Sequence, residues 1–331
     1  MMNRYKYPHT ISNAVDNYLE SVTLSRSANT AKAYGTGMDF FLQILRNADI
    51  QPETQPVSVL DENAISRLII ALQDYAPATE RLYINAVKGF YEYVAAEELT
   101  KINLPRVRLL IKQRSRRTGQ RLPQFPRDSI DEILEKIDQL KNQQPENEMD
   151  HLINMRDRAF LITLADTGLR VHEACNLRRG DIDWNEGRAI IIGKGDKQAV
   201  VRFSARSMAA IREYLKLRAI LDGSSKRPLI SLPIFARHDK GTGKNIKPIT
   251  TTTGRNIVTA RVRQFLGEDL VGKITPHSFR HYFVTRVLQA SGNLKLAQEL
   301  ARHSNIAVTQ RYAHLSDDEL DQGYWEIFKE K

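Results

Sequence analysis

The chain has 331 residues, 41% hydrophobic and 27% charged, with 49 Lys and Arg against 39 Asp and Glu for a formal charge of +10. That length and apolar content suit two ordinary domains, each with its own core, and exclude a wholly disordered chain. No run approaches the roughly 18 apolar residues of a membrane span, MMNRYKYPHT leads into no signal sequence, and a lone cysteine, Cys175, excludes an internal disulfide and a Cys-based zinc finger, so a cytoplasmic protein is expected.

Four helical periodicities come first. Ile11, Val15, Leu19 and Val22 share one face, and Ala33, Tyr34, Gly37, Phe41, Ile44 and Leu45 another. Asp61 is placed to cap a third helix bearing Ile65, Leu68, Ile69 and Leu72, and Leu82, Ala86, Phe90 and Val94 mark a fourth. A small four-helix bundle over residues 1–100 is the natural product. Residues 101–127, KINLPRVRLLIKQRSRRTGQRLPQFPR, then carry nine basic residues and no acidic one. Pro105, Gly119, Pro123 and Pro126 punctuate the segment, which reads as an irregular, mostly extended interdomain linker.

Residues 128–331 are mixed. Amphipathic helices are predicted over 129–140 and 155–164, with the polar loop NQQPENEMD between them. A short helix over 171–177 and a turn at 183–187 follow. The β-type runs 189–192 and 199–203, joined by GKGDKQ, read as a hairpin. Helices return over 207–220, 256–266, 278–289 and 294–301, and again from 317 to the end. The fold class is therefore mainly α with a small β-hairpin or sheet: a helical domain followed by a mixed α/β domain.

Four places in the second domain hold polar residues of related type. In TGLRVHE, Arg170 and Glu173 share a face of a helix start, where an arginine is either an oxyanion clamp or an ordinary salt-bridged residue. Lys194, between Gly193 and Gly195 at the hairpin tip, reads alone as a solvated turn lysine. In ITPHSFRHYF, Thr275 is a cap, Pro276 fits the first helical position, and His277 and Arg280 lie at i and i+3 beside free N–H groups, a suitable phosphate site or a plain polar face. In ELARHSNIAVTQRYAHL, His303 closes one helix and Tyr312 follows nine residues on, a packing tyrosine or a nucleophile. Two guanidiniums, an ammonium, two imidazoles and a phenol together suit phosphoryl transfer with no metal and no cofactor: arginines stabilise the pentacoordinate phosphorus and the phenol attacks.

The ordered series TGLRVHE, IGKGDKQ, PHSFRH and ELARHSN with TQRYAHL resembles the tyrosine recombinase family, which includes phage integrases and bacterial Xer recombinases. The likeness covers the whole second domain and, more weakly, the first, which is similar to the family's SAM-like core-binding domain. It implies a site-specific recombinase in which Tyr312 forms a 3′-phosphotyrosyl bond and frees a 5′-hydroxyl. By the same resemblance, Arg170 and Arg280 would bind the scissile phosphate, Lys194 would protonate the leaving oxygen, His277 would assist proton transfer at the tyrosine, His303 would bond the phosphate, and Glu173 would orient its neighbours. Arg302 stands before His303 where the family usually has glycine. The rival readings are a type IB topoisomerase, or a catalytically silent DNA-binding architectural protein.

The expected partner is double-stranded DNA carrying a short inverted-repeat site. Two domains joined by a basic strap suit a clamp, with Arg106, Arg108, Lys112, Arg114, Arg116, Arg117 and Arg121 along the phosphates and Thr30, Lys32, Arg81 and Lys88 also facing DNA. Ser316 and Glu319 form a capping-box pattern before the stripe Leu320, Tyr324, Ile327 and Phe328. The resemblance implies that this C-terminal helix docks on a neighbouring protomer, linking four subunits on two DNA sites. The short run before Ile11 predicts a two-domain enzyme without an added arm-binding domain.

Overall fold

The computed structural model of the chain describes residues 10–116, 127–143, 145–192, 198–238, 245–303 and 305–310. The chain divides into two compact units, Met1–Gln120 and Arg121–Lys331.

Among the described residues the first unit holds five α-helices rather than four: α1 (Ile11–Ser25), α2 (Ala28–Arg46), α3 (Asn63–Ala71), α4 (Pro77–Ala96) and α5 (Leu104–Arg114). Polar side chains cap several of them, and Asp61 caps α3 as the sequence predicts. Thr10 accepts from the Asn13 N–H at 3.2 Å and Asp61 from the Ala64 N–H at 3.1 Å. The apolar stripes converge in one core that includes Ile11, Phe41, Leu45, Leu68 and Phe90, all fully buried.

The extended-linker reading of residues 101–127 is corrected by α5. Pro105 lies in the first helical turn, where its missing N–H has no partner to lose and its fixed φ is already helical. Asn103 caps that turn, accepting from the Arg106 N–H at 3.0 Å, and Val107 and Leu110 bury against α3 and α4. The proline thus begins a helix that it had been expected to prevent. The basic side chains divide accordingly. Arg106 bonds Asn63 Oδ1 at 3.0 Å, Arg108 pairs with Glu92 at 3.4 Å, and Arg116 turns inward onto the buried Glu80 carboxylate and the Leu72 carbonyl. Arg117 and Arg121 lie outside the described residues.

The second unit begins with α6 (Arg127–Gln139) and α7 (Glu148–Thr167), and α7 runs through its centre, buried on nearly every side from Leu152 onward. It starts inside the expected polar loop because Asn147 caps it, accepting from the Asp150 N–H at 2.9 Å. α8 (Val171–Asn176) follows at once. A three-stranded antiparallel meander comes next, β1 (Ile182–Asp183), β2 (Arg188–Ile192) and β3 (Gln198–Arg202), with Ile190 opposite Val200 and Ile192 opposite Gln198. Ala189, Ile191 and Val201 face the core while Ile190, Ile192 and Val200 face out, the two-residue period of a half-covered sheet.

The helix expected over 207–220 is two, α9 (Ala205–Leu217) and α10 (Ala219–Ser224). The break falls at Arg218, whose fully buried guanidinium reaches Asp222 at 2.8 Å and the Pro233 and Ile234 carbonyls at 2.7 and 2.8 Å. The threonine run proves to be the start of α11 (Thr251–Leu266), with Thr250 accepting from the Thr253 N–H at 3.1 Å. α12 (Pro276–Ser291), α13 (Leu294–Ala301) and α14 (Ile306–Gln310) complete the described residues. α12 packs on both α7 and α13, which brings the end of α7, the start of α12 and the end of α13 together.

Candidate active site

α7 stops at Gly168, whose φ of 60° turns the chain sharply so that Arg170 becomes the N-cap of α8. The Glu173 carboxylate folds back onto that cap. Its Oε2 accepts from the Arg170 backbone N–H at 2.8 Å and its Oε1 from Arg170 Nη1 at 2.8 Å. Only 1% of the Glu173 side chain is exposed, against 40% for Arg170, so the carboxylate is inside and the guanidinium reaches outward. Burial acts to raise the Glu173 pKa, but the Arg170 backbone bond and the Arg302 charge outweigh it, and the carboxyl lies below its usual range.

α12 begins as the sequence predicts, with Thr275 at the cap and Pro276 in the first turn. The Thr275 N–H donates to Ser278 Oγ at 3.1 Å, half of a capping box. This sets His277 outward and sends Arg280 inward, where it is 3% exposed and donates to the Gly168 and Ala301 carbonyls. One guanidinium therefore ties the end of α7 to the end of α13. His303 follows directly, its Nδ1 2.9 Å from the buried Thr309 hydroxyl and its carbonyl accepting from Gln298 Nε2 at 3.1 Å. In the tautomer in which Thr309 donates to Nδ1, the neutral ring carries its proton on Nε2 and offers it as a donor.

Arg170, His172, Arg255, Thr259, His277 and Arg280 line an open cleft of about 420 Å³. His277 and His281 stack edge to face with centroids 4.2 Å apart. All three imidazoles are held towards the neutral form. Burial first, then nearby cations, lowers His277, and the same causes bring His281 and His303 to about 4. A neutral imidazole beside two guanidiniums can take up a proton, and an anion in the cleft favours that uptake.

The low imidazole pKa values have a consequence for stability. The unfolded histidines titrate near 6.5, so between that pH and about 4 the unfolded state binds more protons and folding stability falls as pH falls. The thermal midpoint of the DNA-free protein is expected to drop across this window. A His303→Asn variant should show a shallower slope; an unchanged slope would refute the assignment to this ring.

Of the sequence-predicted set, the structure brings Arg170, Glu173, His277, Arg280 and His303 into one neighbourhood. Lys194 and Tyr312 lie outside the described residues, as do residues 317–331 of the expected C-terminal helix. In the first unit, Lys32 and Arg81 are exposed on α2 and α4, Thr30 bonds Ser27 Oγ, and Lys88 pairs with Glu92 at 3.7 Å. Sequence reasoning missed His172 and Arg255 as cleft residues. Arg255 follows Gly254 in the first turns of α11, and only the packing of α11 on α8 brings it to Arg170.

Guanidiniums and neutral imidazoles gathered at two helix N-termini are groups of the kind that suit the binding of a phosphoryl group. The sequence model of the Phage integrase family matches residues 128–319, and the chain belongs to that family, the tyrosine recombinases, enzymes that cleave DNA and exchange strands. Among curated relatives, the tyrosine recombinase XerC of Thermodesulfovibrio yellowstonii is 28% identical over 313 residues, covering 94% of each chain. XerC of Halalkalibacterium halodurans is 28% identical over 253 residues, 76% of each. The fold is shared with the XerH site-specific recombinase bound to its palindromic difH substrate, at TM-score 0.71 and 19% identity over 98% of each chain. It is also shared with a lambda integrase dimer bound to a COC′ core site, at TM-score 0.64 and 17% identity over 92% of this chain and 95% of the other. Among the described residues, no helix is long and apolar enough to cross a membrane.

Proposed function

We propose that the chain cuts and rejoins double-stranded DNA at a short inverted-repeat site through a 3′-phosphotyrosyl intermediate. The observation that supports this reading is that Arg280 donates to the Gly168 carbonyl, two residues before the Arg170 cap of α8, and that both arginines line one cleft. Arg170 and Arg280 bind the nonbridging oxygens and stabilise the charge that grows on them, an effect worth about 10²–10³ in rate per donor. The Tyr312 phenol attacks phosphorus as its proton passes to His277; the bond to O5′ breaks as Lys194 supplies a proton to that oxygen. His303 donates from Nε2 to a nonbridging oxygen, and ionised Glu173 holds Arg170 in place. The phosphotyrosyl bond keeps the phosphodiester's energy, so an incoming 5′-hydroxyl reverses the step with no ATP, and fixed guanidiniums do the work that a metal ion would do.

The first unit, through α5, and the second grip the DNA from exposed cations, among them Lys32, Arg81, Lys112 and Arg114, and binding weakens steeply with salt. Recombination proceeds on two sites held by four protomers, with the C-terminal residues linking neighbours, in the cytoplasm where the DNA lies. XerH bound to a palindromic substrate supports the inverted-repeat site. The test is covalent capture. The full chain, incubated in EDTA with a randomised library of nicked duplexes, is expected to trap one sequence class as a protein–DNA adduct, with the DNA on the Tyr312 peptide by mass spectrometry. An adduct on another residue, or capture that requires magnesium, would overturn the mechanism.

A further inference from the structure

Four non-glycine residues have a positive φ among the described residues, and three of them, Asp49, Glu98 and Lys226, are exposed. The fourth is Arg302, at φ 57° and ψ 44° as the C-cap of α13, with a side chain only 10% exposed. An L side chain enters the left-handed region at a cost that glycine does not bear, so burying a charged one there calls for a compensating interaction.

The contacts of Arg302 are specific. Nη2 reaches the Gly168 carbonyl at 3.2 Å and Glu173 Oε2 at 3.2 Å, and Nη1 reaches the Leu300 carbonyl at 3.4 Å. Gly168 O is the acceptor that Arg280 also uses, and Glu173 is the acceptor that Arg170 uses. Arg302 thus shares one partner with each of the two phosphate-binding arginines. Its Nε is buried with no hydrogen-bond partner among the described residues, so the guanidinium is not held there by a full set of hydrogen bonds.

Charge explains the arrangement. If Glu173 faced Arg170 alone, a buried anion and a guanidinium 2.8 Å apart would form a closed, neutral pair, and a phosphate would have to compete for that cation. With Arg302 on the same carboxylate the group carries net charge +1, and Arg170 keeps attraction for a second anion. Arg302 itself is nearly buried and is not among the residues that line the open cleft with Arg170.

We propose that Arg302 is a positioning residue that offsets Glu173 and fixes the Gly168 carbonyl, so that Arg170 and Arg280 stay aligned and electrostatically available to the scissile phosphate. The inference rests on the recombinase reading and adds to it a cation that acts through others.

The test uses full-length protein and the nicked duplex that the wild type selects from the randomised library. At saturating protein, Arg302→Met and Arg302→Gly are expected to cleave about 10- to 100-fold more slowly than wild type, with affinity for the uncut duplex within about threefold. Arg302→Gly, which suits the left-handed backbone, guards against loss through misfolding alone. Arg302→Lys, which keeps the charge, should recover most of the rate. On the same duplex with a neutral methylphosphonate at the scissile position, the Arg302→Met defect should shrink to about threefold, because there is less negative charge to balance. Wild-type rates in both neutral variants, or an undiminished defect on the methylphosphonate, would overturn the inference. A wild type that captures no duplex at all strikes instead at the recombinase reading, and the inference falls with it.

Discussion

Arg280→Ala is expected to slow single-turnover cleavage of the selected duplex about 10³-fold and to destabilise the second unit by about 2–4 kcal/mol. Two losses combine. The variant removes a cation from the cleft, and it also takes the Arg280 donor from two carbonyls, Gly168, which keeps Arg302, and Ala301, in a place where Arg280 is 3% exposed and water has little access. Arg280→Lys keeps the charge but presents a single ammonium where a planar fork spans two carbonyls, so it should regain stability only in part. Tyr312→Phe is expected to behave differently: it should bind the duplex as the wild type does and form no adduct, because the phenol oxygen has no substitute. Rates from adduct formation and midpoints from thermal unfolding separate the two cases. An Arg280→Ala protein that cleaves within about tenfold of wild type would remove this guanidinium from the phosphate site.

What could be read from the sequence was local. The cap at Thr275 with Pro276 in the first turn and the α13 bounds Leu294–Ala301 follow from side chains within four residues of the feature. The hairpin follows from its alternation. Errors came where one local signal has two meanings. Pro105 and Pro276 are both helix-initiating prolines, but the basic run after Pro105 resembles a linker, and only the burial of Val107 and Leu110 against α3 and α4 decides for a helix. The break at Arg218 depends on carbonyls 15 and 16 residues away. Arg302 could be recognised as a departure from glycine, but its role depends on an acceptor 134 residues distant, a pairing that periodicity does not reveal.

Gly168→Ala is expected to cost about 2–4 kcal/mol of stability and to slow cleavage on the order of 10²-fold, through two effects that can be told apart. The first is conformational: a φ of 60° is strained for alanine. The second is steric, since an added Cβ would clash with the Cδ1 edge of the Phe283 ring on α12. Relief of that clash moves the turn, and the turn carries the carbonyl that both Arg280 and Arg302 grip, just two residues before the Arg170 cap. Phe283→Ala alone opens space and loses apolar packing, at about 2–3 kcal/mol for a partly buried ring. In the double variant the methyl group has room, so the steric part disappears and the conformational part remains. The two substitutions should therefore be less than additive by about 1–2 kcal/mol in thermal or urea unfolding, and the double variant should cleave faster than Gly168→Ala. Strict additivity would mean that Phe283 does not set the position of this turn. Recovery of stability without recovery of cleavage would mean that the left-handed geometry itself, rather than the space around it, aims the Arg170 cap.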